Sequence, residues 1–146
     1  MTIKVGINGF GRMGRLSMRA AFDWENIEII QINDPAGDAA TLAHLLNFDS
    51  VHGRWTHEAK ADANGMSING KHIVCTKNKS IDETDWSACD VVIEASGKMK
   101  TKAFLQTYLD QGVKRVVVTA PVKEEGVLNV VLGVNDQLYD KDQHRI

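Results

Sequence analysis

The chain is short of the features that mark several functional classes. It has two cysteines, Cys75 and Cys89, which show neither metal-ligand spacing nor a disulfide framework and so fit a reducing compartment. No apolar run approaches the roughly 20 residues of a membrane span, and Met1-Thr2-Ile3-Lys4 enters an apolar stretch directly, unlike a secretory leader. Charge of one sign is not in excess either. The formal net charge of −2 gives no electrostatic case for nucleic acid or an anionic membrane. Repeats, low-complexity tracts and linkers are absent. A chain of 146 residues, 43% hydrophobic and 25% charged, is left as an ordinary globule. At this size one domain buries about two-thirds of its unfolded surface. The expectation is one domain over residues 1–146, cytoplasmic, with no nucleic acid and no membrane partner.

What is present begins with Ile3-Lys4-Val5-Gly6-Ile7, a short apolar strand. It runs into Gly9-Phe10-Gly11-Arg12-Met13-Gly14, which fits G-x-G-x-x-G. The pattern then turns helical, with Met13, Leu16 and Ala20 expected on one apolar face. Strand, glycine turn and helix in that order are the context a dinucleotide fingerprint requires. The first glycine permits the tight turn, the second lets backbone approach a pyrophosphate, and the third lets the helix pack on the strand. N–H groups at the helix start then face the phosphates. Asp34, twenty residues beyond Gly14, closes a second apolar strand, Ile27 to Ile32. An acid there accepts hydrogen bonds from an adenosine ribose and repels a 2′-phosphate, which favours NAD over NADP. The competing reading is an ordinary βαβ turn in which Asp34 merely opens a Pro-containing loop. Fingerprint, acid and periodicity agree against it.

Further along, Asp38 is placed to cap a short helix through Leu46, with Leu42, Leu45 and Leu46 inward. Asn47 to Trp55 reads as a polar loop. Asn64-Gly65 and Asn69-Gly70 read as successive hairpin turns, so residues 57–76 form a small antiparallel insertion whose last strand, His72 to Thr76, can rejoin the main sheet. Asp90 to Ala95 is a buried strand ending at Ser96-Gly97. Thr101 to Gln111 is helical, with Phe104, Leu105, Tyr108 and Leu109 apolar and Gly112 as its stop. Arg115 to Ala120 and Asn129 to Val134 are expected as further strands, and a turn of helix follows around Leu138 and Tyr139. Alternating strands and helices imply an α/β, doubly wound, mostly parallel sheet, a Rossmann-type domain with a small antiparallel hairpin insertion. Ligands in such sheets sit beyond the carboxyl ends of the strands. The Gly9–Gly14 loop, Asp34, Ser96-Gly97 and Thr119 all fall there.

Lys4 to Arg12, Ile32-Asn33-Asp34, Phe48-Asp49-Ser50-Val51-His52-Gly53-Arg54, Glu94-Ala95-Ser96-Gly97, Thr119-Ala120-Pro121 and Gly133-Val134-Asn135 follow one another along the chain. In these residues and in their order the chain resembles the NAD-binding half of phosphorylating glyceraldehyde-3-phosphate dehydrogenase. The resemblance implies cofactor contacts from Asn8, Gly9, Phe10, Gly11, Arg12 and Met13 at the fingerprint. It implies others from Asn33 and Asp34 at the ribose, Ser96 and Gly97 on the adenine side, and Thr119 on the nicotinamide side. Where the family has Glu-Arg-Asp-Pro near the adenine, this chain has Asn78-Lys79-Ser80-Ile81, so Lys79 stands in for the arginine without its planar fork. Val122 follows Pro121 where serine is usual, and Asp34-Pro35-Ala36-Gly37 is an unusual continuation.

In this family a cysteine in a Ser-Cys-Thr-Thr-Asn-Cys run attacks the aldehyde, and a distant histidine takes the proton. No such run occurs in these residues. Cys75 and Cys89 read as small core residues, and the five histidines show no metal spacing, so no catalytic and no metal residue is assigned. His52-Gly53-Arg54 reads as structural, and Lys98, Lys100 and Lys102 as a solvated helix start. The expectation is therefore the cofactor domain of a larger enzyme. The resemblance implies a homotetrameric parent that oxidises a phosphorylated aldehyde to an acyl phosphate or acyl arsenate. Alone, the segment should bind NAD without turnover and expose surfaces meant for a second domain and sister subunits. The alternative is a stand-alone NAD(H)-binding regulatory module, and a third reading keeps the fold only as an assembly surface.

Overall fold

A computed structural model describes residues 1–146. The strands are β1 (Ile3–Asn8), β2 (Ile27–Asn33), β3 (Phe48–Asp49), β4 (Gly53–Arg54), β5 (Ala59–Asp62), β6 (Gly65–Ile68), β7 (Lys71–Thr76), β8 (Val91–Glu94) and β9 (Arg115–Val118). The helices are α1 (Arg12–Ala21), α2 (Ala39–Asn47) and α3 (Lys102–Asp110). Seven strands form one sheet in the order β5-β6-β7-β2-β1-β8-β9, and β3-β4 form a separate ribbon. Pairings β7-β2, β2-β1, β1-β8 and β8-β9 are parallel, whereas β5-β6 and β6-β7 are antiparallel. The insertion therefore adds its last strand to the parallel sheet, as expected.

The sheet is covered on both faces. Val5 and Ile7 point into one apolar layer with Met18, Phe22, Leu42, Leu46 and Ile73. The opposite layer holds Ile81, Trp86, Val92, Leu105, Tyr108 and Val116. Between Val5 and Ile7, Gly6 faces this second layer, and a Cβ there would lie 2.9 Å from both the Trp86 ring and Cys89 Sγ. Absence of a side chain at Gly6 is what lets the Trp86 indole lie against β1.

Local chemistry sets the element ends. Asp38 caps α2 by accepting the Thr41 N–H at 2.9 Å, and Thr101 caps α3 by accepting that of Phe104. Gly112, at φ 99°, stops the chain after α3. Asn69 (φ 50°) and Gly70 (φ 79°) make the left-handed pair of a tight hairpin between β6 and β7.

Several expectations need correction. On α1 the inward residues are Gly14 and Met18, while Met13 and Ala20 are exposed and Leu16 is half-buried. The glycine loop sets how α1 sits on the sheet, with Gly14 against the loop and Met13 left exposed at the helix start. Leu45 and Phe104 are exposed; Ala43 joins Leu42 and Leu46 inside. Gly65 is a strand residue, not a turn residue. A Cβ there would be 2.0 Å from the Ile73 carbonyl oxygen, and the turn falls on Ala63-Asn64. Residues 47–55 contain the β3-β4 ribbon inside the expected loop. Asn129–Val134 forms no strand. The outer edge of β9 is already engaged, the Val116 N–H donating to the Arg145 carbonyl at 2.8 Å. The segment's own backbone is tied locally instead: Asn135 Oδ1 accepts the Val131 N–H at 2.6 Å and its amide donates to the Asn129 carbonyl at 2.9 Å.

Candidate nucleotide crevice

After β1 the chain runs one way to β2, then returns to β8 on the other side of β1. The reversal opens a crevice at the carboxyl ends of β1 and β8, the place where doubly wound sheets take ligands. The fingerprint glycines occupy it with distinct duties. Gly9, at φ 90°, is pressed against the turn after β8, and a Cβ would lie 2.4 Å from the Ser96 nitrogen. Gly14 seats α1 on the loop, its imagined Cβ 2.1 Å from the Gly9 carbonyl oxygen. Around Gly11 nothing lies within 4 Å of that position. That open space stands at the start of α1, where no side chain caps the helix and no acid occupies the first turn. Unsatisfied N–H groups and the positive helix end can therefore receive an anion there.

Asp34 lies just past β2 and faces the loop. Its Oδ2 accepts the Phe10 N–H at 2.6 Å and its Oδ1 the Ala36 N–H at 2.8 Å. The Phe10 side chain itself is buried in the core. Arg12 and Met13 are exposed at the helix start, and Arg12 reaches Asp49 at 3.5 Å. Ser96 Oγ accepts the Lys98 N–H at 3.2 Å and the Met99 N–H at 3.3 Å, shaping the turn through Gly97 (φ 71°). Thr119 is half-buried beyond β9, its N–H donating to the Glu94 carbonyl at 3.0 Å. Lys79 is exposed on the turn after β7, where Glu83 accepts the N–H groups of Lys79 at 2.9 Å and of Ser80 at 3.1 Å. Asn8 and Asn33 are placed differently. Both side chains are buried beneath the crevice floor and bonded to other protein groups.

The Asp49–Arg54 run folds into the β3-β4 ribbon and braces α1. Asp49 accepts the N–H groups of Val51 and His52, both at 2.8 Å. These bonds, first that of His52 and then that of Val51, with Arg12 nearby, pull its carboxyl down to about 2. Arg19 donates to the carbonyls of Leu46, at 3.0 and 2.6 Å, and Gly53, at 3.2 Å. Residue types alone did not single out this bracing of α1. Burial pushes the Cys75 thiol up to about 12 and the Cys89 thiol up to about 11, so both are poor nucleophiles near neutrality. A cavity of about 900 Å³ runs along β9 and residues 121–131 and is mainly apolar. It contains Thr119 but none of the residues from Gly9 to Gly14.

A parallel sheet with an open-glycine turn, a bare helix start and an acid at the next strand end defines a dinucleotide-binding domain. Comparison with known proteins gives the family. The model for the glyceraldehyde 3-phosphate dehydrogenase NAD binding domain matches residues 3–102. Glyceraldehyde-3-phosphate dehydrogenase 3 of Nostoc sp. is 49% identical over 148 residues, covering 100% of this chain and 44% of that protein. The Geobacillus stearothermophilus glyceraldehyde-3-phosphate dehydrogenase is 40% identical, and glyceraldehyde-3-phosphate dehydrogenase 1 of Bacillus subtilis 38%, each with 100% of this chain and 44% of the relative covered. The chain thus spans less than half the length of these relatives. It belongs to the glyceraldehyde-3-phosphate dehydrogenase family, as its NAD-binding domain, and NAD is its cofactor. No helix is long and apolar enough to cross a membrane.

Proposed function

We propose that residues 1–146 are the cofactor domain of a cytoplasmic, homotetrameric enzyme that oxidises a phosphorylated aldehyde to an acyl phosphate. NAD supplies the hydride acceptor when bound. The observation that carries the reading is the open space at Gly11 beside the uncapped start of α1, with the Asp34 carboxylate one loop away. In this reading the backbone from Gly9 to Met13 holds the pyrophosphate, and Arg12 adds a positive charge at its edge. Asp34 binds the adenosine ribose and repels a 2′-phosphate, Ser96-Gly97 and Lys79 bound the adenine, and Thr119 lies on the nicotinamide side. Asp34 retains free lone pairs on both oxygens for ribose hydroxyls, since each accepts one bond from the protein.

Bond-making is not assigned to this chain, because both of its cysteines are held in their poorly reactive thiol form. Exposed Val130, Val131, Leu132 and Val134, beside the apolar cavity along β9, fit a surface covered by the rest of a longer polypeptide. Calorimetric titration tests the reading. NAD should bind saturably, and NADP at least about tenfold more weakly, the cost of one unfavourable charge contact. Heat indistinguishable from buffer, or equal affinity for the two dinucleotides, would refute it.

A further inference from the structure

An unbroken line of buried side-chain hydrogen bonds crosses the carboxyl ends of four strands, directly under the crevice. At one end, Asn33 Oδ1 accepts the Thr76 hydroxyl at 2.8 Å and the Asn78 N–H at 2.9 Å, while its amide donates to the Asn78 carbonyl at 3.0 Å. The same amide donates to Asn8 Oδ1 at 2.8 Å. Asn8 in turn donates to Glu94 at 2.8 Å and to the Tyr108 hydroxyl at 2.7 Å. Tyr108, on α3, donates to the same Glu94 oxygen. At the other end, Glu94 Oε1 accepts the Ser96 N–H at 2.8 Å. Asn8, Asn33, Glu94 and Tyr108 are exposed by 5%, 3%, 1% and 0%.

Three features give this line a purpose beyond packing. Its bonds between side chains run from Thr76 through Asn33 and Asn8 to Glu94, and none of the chain's ion pairs includes that carboxylate, so three neutral donors face its two oxygens. Every member is satisfied, since Arg15 Nε is the one buried side-chain polar atom without a partner. Both ends of the line hold turns rather than core. Asn33 grips Asn78, beside Lys79, through its N–H and its carbonyl, and Glu94 grips Ser96, against which Gly9 is pressed.

We infer that Tyr108 is a positioning residue for the dinucleotide. Through Glu94 it fixes the Ser96-Gly97 turn, and through Asn8 and Asn33 it fixes the Asn78-Lys79 turn, without touching the ligand. This rests on the crevice being the NAD site. Removing one donor from a buried carboxylate leaves that charge short of a bond and loosens both turns at once.

Tyr108→Phe in the intact protein is the test. It keeps the ring packed edge-on against Trp86, with centroids 5.5 Å apart, and deletes only the hydroxyl. NAD and ADP-ribose should both bind about tenfold more weakly, within the range of a charge-assisted hydrogen bond. Hydrogen exchange without ligand should speed up at the Ser96 and Asn78 amides while the β1-β2 ladder stays protected. If Tyr108→Phe does not fold, the isosteric Thr76→Val carries the test from the far end, with about threefold weaker binding expected from a neutral bond. Wild-type affinity in the folded variant, or faster exchange spread evenly over the sheet, would overturn the inference. Failure of the unmodified protein to bind NAD would instead remove the reading on which it rests.

Discussion

Replacing each fingerprint glycine with alanine should give three different results. At Gly9 (φ 90°) alanine enters the left-handed region, at about 1–2 kcal/mol. Its methyl would also lie 2.4 Å from the Ser96 nitrogen and 2.6 Å from the Ala95 carbonyl carbon, both backbone atoms that cannot step aside. Overpacking of that kind costs about 1–3 kcal/mol, so Gly9→Ala should destabilise by about 2–5 kcal/mol. That is a large share of a typical 5–15 kcal/mol. At Gly14, inside α1, alanine would by propensity stabilise by roughly 0.5–1 kcal/mol. A contact of 2.1 Å with the Gly9 carbonyl oxygen reverses the sign, again by about 1–3 kcal/mol. Gly11 has an ordinary φ of −69° and open space around it. Alanine there should cost under about 1 kcal/mol, the loss of a favourable helix-cap glycine. Yet Gly11→Ala should weaken NAD by at least about tenfold, because the methyl occupies the approach to the pyrophosphate. Urea unfolding followed by the fully buried Trp86, with and without NAD, separates the cases. Equal destabilisation of Gly11→Ala and Gly9→Ala, or unaltered NAD affinity in Gly11→Ala, would refute the division of duties.

Asp34→Ala removes the acceptor for two backbone N–H groups, so it should lower stability by about 1–3 kcal/mol and narrow the preference for NAD over NADP, as read by calorimetry. Asp49 is held at about 2, below the roughly 4 of an unfolded aspartate. Its stabilisation is therefore complete above about pH 4 and lost as pH falls toward 2. Urea midpoints across that window should drop in the parent and vary less in Asp49→Asn. With thiols pushed up to about 12 and about 11, Cys75 and Cys89 should react slowly with a thiol reagent at pH 8 and quickly once urea unfolds the chain.

Local chemistry was legible in the sequence. The glycine turn, the Asp38 cap, the Asn69-Gly70 hairpin and the apolar strands β1, β2, β8 and β9 each announce themselves within a few residues, and each stands within a residue or two of where it was read. Choices made by distant partners were not legible. Met13, Leu16 and Ala20 form a plausible helical stripe, but the loop's docking turns Met18 inward instead. Asn129–Val134 has the residues of a strand, yet composition does not tell whether a sheet edge is free to receive it. The buried line of Asn8, Glu94 and Tyr108 joins residues 86 and 100 positions apart, a separation that leaves no periodic trace. Its one local sign is an acid ending the apolar run Val91-Val92-Ile93-Glu94.

The two levels meet at Asp34. A carboxylate that waited unpaired for a ribose would leave the glycine loop to be ordered by the ligand. Fixing backbone costs about 1–2 kcal/mol per residue, and binding would have to supply it. Here Asp34 already holds the Phe10 and Ala36 N–H groups, so the loop is set when the chain folds. Ser96 is set by Glu94 and Asn78 by Asn33 in the same way. Contacts made by the dinucleotide then appear as affinity rather than as loop ordering. It follows that substitutions behind the crevice, at positions the ligand never reaches, should weaken binding while leaving the contact surface chemically unchanged.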